Sequence, residues 1–516
     1  MIPDGIRTLA ADTRGLREMF ASDPDRARRG TLDACGIRAD FSRQLVDPPL
    51  FEAGISHLES LGITDHIEAM FEGGTVNATE GRPALHVASR ARGSSSAEAR
   101  ASVEWLGPAL AFADDVRSGA ARSSSGRAFD TVVNIGIGGS DLGPAMVTRA
   151  LRARSDGPEV RFVSNIDPAD LDRTLTGIDP ASTLVVVSSK TFTTLETLHN
   201  AMRARAWIEA ACGEWRDNFV AVTTRPDIAQ QWGVPAERCL RFGEWVGGRF
   251  SVSSTIGFPV MCAVGSGVFS EFLDGLHDID EHFRRSPLEV NLPVVHALTW
   301  WLNTAVRGFG AVAVVPYASD LSLFPAHLQQ LVMESNGKGT DLAGNRVRTT
   351  GAPVVFGEPG TNAQHSFFQL LHQGTQVVPV DFIGTVEPMG SDPAAHDLLV
   401  ANMLAQSDAL AVGRSLGETE AAVGFPDPHR SFPGNRPSTV LFLRRLDARH
   451  LGVLLGVYEH SVFVQSILAG VNAFDQFGVE LGKTVASSVS AELRGAEKPS
   501  LSVTHPLLEW YASQRD

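Results

Sequence analysis

The chain has 516 residues, 43% of them hydrophobic and 20% charged, enough apolar side chain to build several cores, which excludes a wholly disordered protein. At about 150 residues per domain it should form a multi-lobed protein. The formal net charge of −15 excludes a protein that coats nucleic acid, since its partner would repel it, but allows a small anion held by backbone N–H groups and hydroxyls. Cys35, Cys212, Cys239 and Cys262 lie far apart with no Cys-x-x-Cys pair, so neither a zinc site nor a disulfide framework is expected. The N-terminus carries charges where a signal peptide needs an apolar core, and no uninterrupted apolar run reaches membrane-spanning length. A cytoplasmic protein with reduced thiols and no membrane partner is the expectation.

Residues 1–90 read as a polar helical segment, with short amphipathic stretches at Leu16–Phe20 and His57–Leu61 and no strand of any length. Small polar runs at Arg92–Ser96 and Ser123–Gly126 are loops, and Val103–Ala113 between them has helical character. From Thr131 short β-branched runs alternate with helical stretches: TVVNI, RFVSN at 161–165, TLVVVSS at 183–189 and NFVAVT at 218–223. Unbroken apolar strands of this kind predict a parallel sheet covered on both faces. A second series follows Asn291, with AVAVVPY at 311–317, PVVF at 353–356 and QVVPVDFI at 376–383, and helical segments at Leu328–Glu334 and His365–His372. The prediction is an α/β protein with two tandem doubly wound αβα lobes, 91–285 and 286–486, then a C-terminal arm at 487–516. Leu451–Leu468 is a long, mostly apolar helix near the end of the second lobe.

The strand Thr131–Ile135 runs into Gly136-Ile137-Gly138-Gly139-Ser140-Asp141-Leu142-Gly143-Pro144. A glycine-rich strand-to-helix turn brings backbone N–H groups against an anion, although a purely structural turn would use the same glycines. Asp141 stands where a dinucleotide fingerprint needs glycine, which disfavours an NAD-dependent oxidoreductase. After the third strand, Ser189, Thr191, Thr194 and Thr197 form a hydroxyl cluster where open α/β sheets bind ligands. They can ring a phosphate, with Lys190 adding its backbone N–H, or simply cap the next helix.

Glu334 ends a helical stretch that Asn336-Gly337 should stop. A partly buried carboxylate near the negative end of a helix dipole suits a general base, while a solvated surface Glu is the plain alternative. Thr361 and Gln364 have capping-box spacing, which puts His365 in the first turn of a helix as a proton acceptor and donor. In Trp245–Phe250 two glycines precede Arg249, so the guanidinium and the Gly248 backbone can converge on an oxygen carrying developing charge. Gln476 and Lys483 are seven residues apart, on one face if helical. His277, Asp278, Asp280, Glu281 and His282 match no metal motif, so no metal is expected, and Tyr458-Glu459-His460 reads as a buried polar network.

Three strings together, GIGGSDLGP at 136–144, QQLVMESNGK at 329–338 and GVELGK at 478–483, closely resemble the glucose-6-phosphate isomerase (phosphoglucose isomerase) family. NATEGR at 77–82, SKTFTT at 189–194, VGGR at 246–249 and GTNAQH at 360–365 support the resemblance, which runs from about Leu16 to Lys483. It implies lobes of sugar-isomerase (SIS) type, a homodimer with active sites shared between subunits, no cofactor, and reversible conversion of glucose 6-phosphate to fructose 6-phosphate in glycolysis and gluconeogenesis. By this resemblance the phosphate falls on Ser140, Ser189, Thr191 and Thr194, with the Gly139 and Lys190 backbones, and Thr197 close by. Glu196 lies in the same loop. His365 of the partner subunit assists ring opening, with Lys483 near the ring oxygen. Glu334 moves a proton between C2 and C1 through a cis-enediol intermediate, Arg249 with Gly248 stabilises its charge, and Gln476 lines the pocket. Phe477, Ala473 and Arg127 stand where the family usually has Trp, Ser and Lys, departures that bear on packing and sugar selectivity. Activity on mannose 6-phosphate as well is one rival reading. A noncatalytic sugar-phosphate sensor is another, disfavoured by Glu334, His365, Arg249 and Lys483 together.

Overall fold

The computed structural model describes residues 2–12, 14–93, 96–349, 351–494 and 505–515. A hairpin comes first, β1 (Thr31–Ala34) and β2 (Ile37–Asp40), joined by Cys35 and Gly36 with φ of 49° and 84°. This corrects the reading of residues 1–90 as strandless. Two consecutive positive φ values make a tight hairpin turn whose twist suits its strands, but strands of four residues carry almost no periodic signal.

The first sheet holds β3 (Thr131–Ile135), β4 (Glu159–Val163), β5 (Thr183–Ser188), β6 (Phe219–Thr223) and β7 (Cys239–Arg241), all parallel in the order β4-β3-β5-β6-β7. Every residue of β3, β5 and β6 is buried, because helices cover both faces. From β3 the chain steps to β4 on one side and then returns to β5 on the other. The loops leaving the C-terminal ends of β3 and β5 therefore open beside each other, at the place where a doubly wound sheet forms a binding crevice.

The second sheet runs β1-β2-β11-β10-β8-β9, with β8 (Ala311–Pro316), β9 (Val354–Phe356), β10 (Val380–Thr385) and β11 (Ser438–Leu443) parallel and β2 antiparallel to β11. The N-terminal hairpin thus completes the edge of a sheet formed by residues more than three hundred positions later in places, as in the pairing of Ile37 with Leu443. β7 and β11 were not predicted, and β10 begins only after Pro379, which has no N–H for a ladder.

Helices Phe258–Arg285 and Ala448–Ala469 pack backbone to backbone. A Cβ on Gly275 would lie 1.8 Å from the Arg449 carbonyl oxygen, and one on Gly452 2.2 Å from that of Phe272. Among the described residues, Thr255–Arg285 and Ala448–Ala469 are long and apolar enough to cross a membrane, but 94% of the most apolar window of the second is buried inside the fold. The second is apolar on nearly all sides because it is core, whereas the first keeps a polar face with Ser270 and Glu271 exposed, and each buried Leu or Val contributes about 1.5–3 kcal/mol.

The chain divides into two units, Met1–Ala473 and Phe474–Asp516. The second contains a 3-10 turn at Phe477–Val479 and the helices Glu480–Leu493 and His505–Ser513.

Candidate active site

The glycine loop leaves β3 through Gly138, at φ 60°, and a 3-10 turn Gly138–Ser140 before the helix Leu142–Ala150. A hydrogen-bond relay orients it: the Ser188 hydroxyl donates to Asn134 Oδ1 at 2.7 Å, and Asn134 Nδ2 donates to the Ser140 carbonyl at 3.0 Å. A Cβ on Gly139 would sit 2.0 Å from the Gly248 carbonyl oxygen and 2.6 Å from the Arg249 nitrogen. Only glycine lets this turn touch the loop that carries Arg249.

In the loop after β5, Phe192 takes φ 52° and buries its ring, which anchors the loop in the first-lobe core. The Ser189 and Thr194 hydroxyls are 3.1 Å apart and those of Thr191 and Thr193 2.7 Å apart. Thr194 precedes the helix Leu195–Cys212 but makes no side-chain cap bond. The cap alternative therefore does not account for Thr194, and the first N–H groups of this helix stay open to an anion. Thr197 is buried, and its Oγ1 has no hydrogen-bond partner among the described residues. Ser140 is half-buried, Ser189 buried and Thr191 exposed.

Lys190 is also engaged through its carbonyl and its side chain. Its carbonyl accepts from the Thr224 N–H and the Thr223 and Thr224 hydroxyls, and its Nζ donates to the Glu244 and Val246 carbonyls.

Glu334 ends a π-helical turn, Gln329–Glu334, a widened geometry common at functional sites. Asn336-Gly337 closes it: Asn336 Nδ2 donates to the Val462 carbonyl at 2.9 Å and the Gly337 N–H to Met333 at 2.9 Å. Lys338 Nζ donates to the Glu334 carbonyl at 3.0 Å, satisfying an oxygen the turn leaves open.

Arg249 lies beside this turn, with its side chain 1% exposed and that of Glu334 17% exposed. Arg249 Nε donates to the Ser335 hydroxyl at 2.6 Å, and Nη2 donates to the Ala473 carbonyl. Nη1 is 3.6 Å from Glu334 Oε2, beyond a hydrogen bond, and that buried oxygen has no hydrogen-bond partner among the described residues. The carboxylate thus keeps a lone pair for a proton while a buried guanidinium stands beside it to balance negative charge. Because Ala473 contributes its carbonyl, the departure from Ser at this position leaves that contact intact.

Gln330, from the same turn, was missed by the sequence reading. Its Nε2 is 3.0 Å from where a Gly138 Cβ would stand, and its Oε1 is buried with no hydrogen-bond partner among the described residues. It stands between the turn that ends in Glu334 and the glycine loop, and its place one helical turn before Glu334 was the available signal.

Two expectations need correction. Thr361 has φ 53° and forms no capping box; His365 ends a 3-10 turn, Ala363–His365, and the next α-helix starts at Phe368. His365 is exposed. Its loop is seated by Gly360, whose N–H donates to Pro316 at 2.7 Å and whose missing Cβ makes room for the Tyr317 ring. Gln476 and Lys483 share no continuous helix face, because Gln476 has extended φ of −154° ahead of the Phe477–Val479 turn. Both belong to the C-terminal unit, with Lys483 exposed in the first turn of Glu480–Leu493.

The remaining polar cluster is internal. Arg90 donates to Asp280 at 2.7 and 2.9 Å and to Glu459 at 2.8 Å, and His460 Nε2 is 2.7 Å from Asp280. Burial, opposed by Arg90, raises the Glu459 carboxyl to about 7. Tyr458 donates instead to Asp381, at 2.9 Å. Among the described residues no group of three or more His, Cys, Asp or Glu side chains is placed to hold a metal ion.

A sequence profile of the phosphoglucose isomerase family matches residues 40–505. The chain belongs to that family. It is similar to the glucose-6-phosphate isomerase of Anaeromyxobacter dehalogenans (strain 2CP-1 / ATCC BAA-258), at 46% identity covering 97% of this chain and 94% of the relative. The Rhodococcus opacus (strain B4) glucose-6-phosphate isomerase is 45% identical, covering 97% and 95%. Among solved structures, a glucose-6-phosphate isomerase from Chlamydia trachomatis superposes with a TM-score of 0.88 at 32% identity, covering 99% of this chain and 98% of that one. As a phosphoglucose isomerase family member the chain is an enzyme of the isomerase class, with the α/β fold of phosphosugar isomerases.

Proposed function

We propose that the protein interconverts D-glucose 6-phosphate and D-fructose 6-phosphate, as a cytoplasmic homodimer serving glycolysis and gluconeogenesis. The observation that carries the mechanism is the Arg249–Glu334 pair, with one carboxylate oxygen unused beside a buried guanidinium, set against the glycine turn at Gly139 and Gly248.

The phosphate rests on the Ser140, Ser189, Thr191 and Thr194 hydroxyls and on the N–H groups of the glycine turn and of helix Leu195–Cys212. Anchoring this unreacting group holds the sugar carbons near Glu334. His365, lent by a second copy, protonates the ring oxygen as its bond to C1 breaks and the C1 hydroxyl gives up its proton to water to become the carbonyl, with Lys483 beside it. Glu334 removes the C2 proton; the electron pair forms the C1–C2 double bond and the carbonyl oxygen becomes an enediolate. Arg249 and the Gly248 backbone balance that charge while the proton of the O2 hydroxyl passes to O1, and the C2–O2 carbonyl forms as Glu334 returns its proton to C1. Aldose and ketose have the same oxidation level overall, so the cycle closes without a redox cofactor.

The test is a coupled assay of the purified protein on fructose 6-phosphate, with mannose 6-phosphate in parallel. Turnover of the glucose–fructose pair is the expected result, turnover of mannose 6-phosphate as well would widen the specificity, and binding without turnover would leave a sensor. For the shared site, mixing Glu334→Gln and His365→Ala chains under proven subunit exchange should restore activity; no recovery counts against a lent histidine.

A further inference from the structure

We propose that Lys190 works through its side chain as a positioning residue, a strut that ties the hydroxyl loop to the loop carrying Arg249, so that phosphate on one is felt at the other. The proposal rests on the isomerase reading above.

Both ends of the strut are fixed. The Lys190 backbone is held by Thr223 and Thr224, whose hydroxyls donate to its carbonyl at 3.0 and 2.8 Å. Its Nζ donates to the Glu244 and Val246 carbonyls, each at 2.9 Å. Val246 lies three residues before Arg249, and Lys190 sits between Ser189 and Thr191, so covalent slack is small on both sides. The far loop has two further anchors: Arg82 Nη1 donates to the same Glu244 carbonyl at 2.7 Å, and the Leu85 N–H donates to Trp245 at 2.9 Å. This gives the NATEGR turn a task, since Glu80 accepts from Arg82 at 2.6 Å and from Asn77 at 2.5 Å and so holds Arg82 in place. Removing Lys190 Nζ takes away the ties that join the Glu244 and Val246 carbonyls to the hydroxyl loop.

The strut is also charged. Arg82 and Arg249 act on the ammonium with like charge, Glu80 and Glu244 with opposite charge, and Arg225 faces Glu244 in turn. Burial, reinforced by Arg82, brings the ammonium down to about 8. In the unliganded enzyme Lys190 is therefore charged below that pH and neutral above it. A dianionic phosphate on the neighbouring hydroxyls favours the charged form, so binding above that pH takes up a proton. A neutral amine holds the two carbonyls less strongly, which loosens Arg249 against Glu334 in the free enzyme and lowers kcat/KM on the alkaline side.

Calorimetric titration of the full-length protein with an equilibrated mixture of glucose 6-phosphate and fructose 6-phosphate, at about pH 8.5 in buffers of different ionisation enthalpy, counts that proton. The expected uptake is roughly half a proton per site. Lys190→Arg, which stays charged, and Lys190→Gln, which never is, should both abolish the uptake. Lys190→Arg should also lose the alkaline fall in kcat/KM, and Lys190→Gln should lower kcat by roughly 10-fold to 100-fold with a smaller change in KM. Binding by the wild type without proton uptake, or uptake of equal size in both variants, overturns the proposal. The wild-type count decides the matter if either variant fails to fold. Absence of turnover by a wild type that still binds would remove the isomerase reading itself, and is read in a separate assay.

Discussion

The two sheets build their parts of the site in opposite ways. In the first lobe, the loops after β3 and β5 are short contiguous strings lying side by side because their strands are neighbours, and their internal bonds span a few residues, as between Ser189 and Thr194. In the second, the turn holding Glu334 depends on distant chain: Arg249 reaches Ser335 across 86 positions, and Asn336 reaches Val462 across 126. An anion can be held by local backbone geometry, whereas a buried carboxylate and guanidinium must be assembled from separate elements so that each offsets the other's desolvation.

Glu334→Gln should break the second half while sparing the first. It is expected to lower kcat by roughly 10²–10⁴-fold, with substrate binding within a few-fold of wild type in a direct titration. A variant retaining most of its turnover would take the base role away from Glu334.

The junction between the halves is tested by two glycines. Gly139→Ala drives a Cβ into the Gly248 carbonyl and should cost about 1–3 kcal/mol of stability along with activity. Gly248→Ala, whose Cβ would meet nothing within 4 Å, should leave Tm nearly unchanged. Equal Tm losses in the two would mean that contact between these loops does not matter.

Asp141, inside the glycine loop, sharpens the first half. Burial, with Asp170 nearby, raises its carboxyl to about 6. Its folded-state value lies above the unfolded one, so ionisation is penalised in the native state, and this part of the stability falls as pH rises from about 4 through 6. Asp141→Asn should therefore stabilise the protein at neutral pH by up to about 3 kcal/mol, a gain that shrinks towards pH 4. A Tm difference independent of pH would exclude this cause.

The smallest effect is expected at Arg127, where the family usually has Lys. Its pairing with Asp179 is exposed on both sides, so Arg127→Ala should leave Tm and activity unchanged within error. A clear loss would show that the edge of the first lobe matters more than its contacts indicate.

Strand runs such as TVVNI and TLVVVSS, the glycine loop and the hydroxyl cluster were legible in the sequence because each depends on its own residues: β-branched periodicity, glycine tolerance of positive φ, hydroxyls packed at a strand end. The family motifs were legible for the same reason. The hairpin at β1 and β2, the positive φ of Thr361 that removes the capping box, the buried amide of Gln330 and the carbonyl partners of Lys190 Nζ were not. Each is a choice of partner rather than a preference of the residue. Sequence by itself determined the buried central strands such as β3 and β5 and the glycine and hydroxyl strings that follow them; tertiary structure decided the strands β1, β2, β7 and β11, that Gly139 touches Gly248 and that Arg249 stands beside Glu334. Those contacts arise only when strand order brings distant chain ends to one crevice, and the cost of burying a charge then selects what lies next to it.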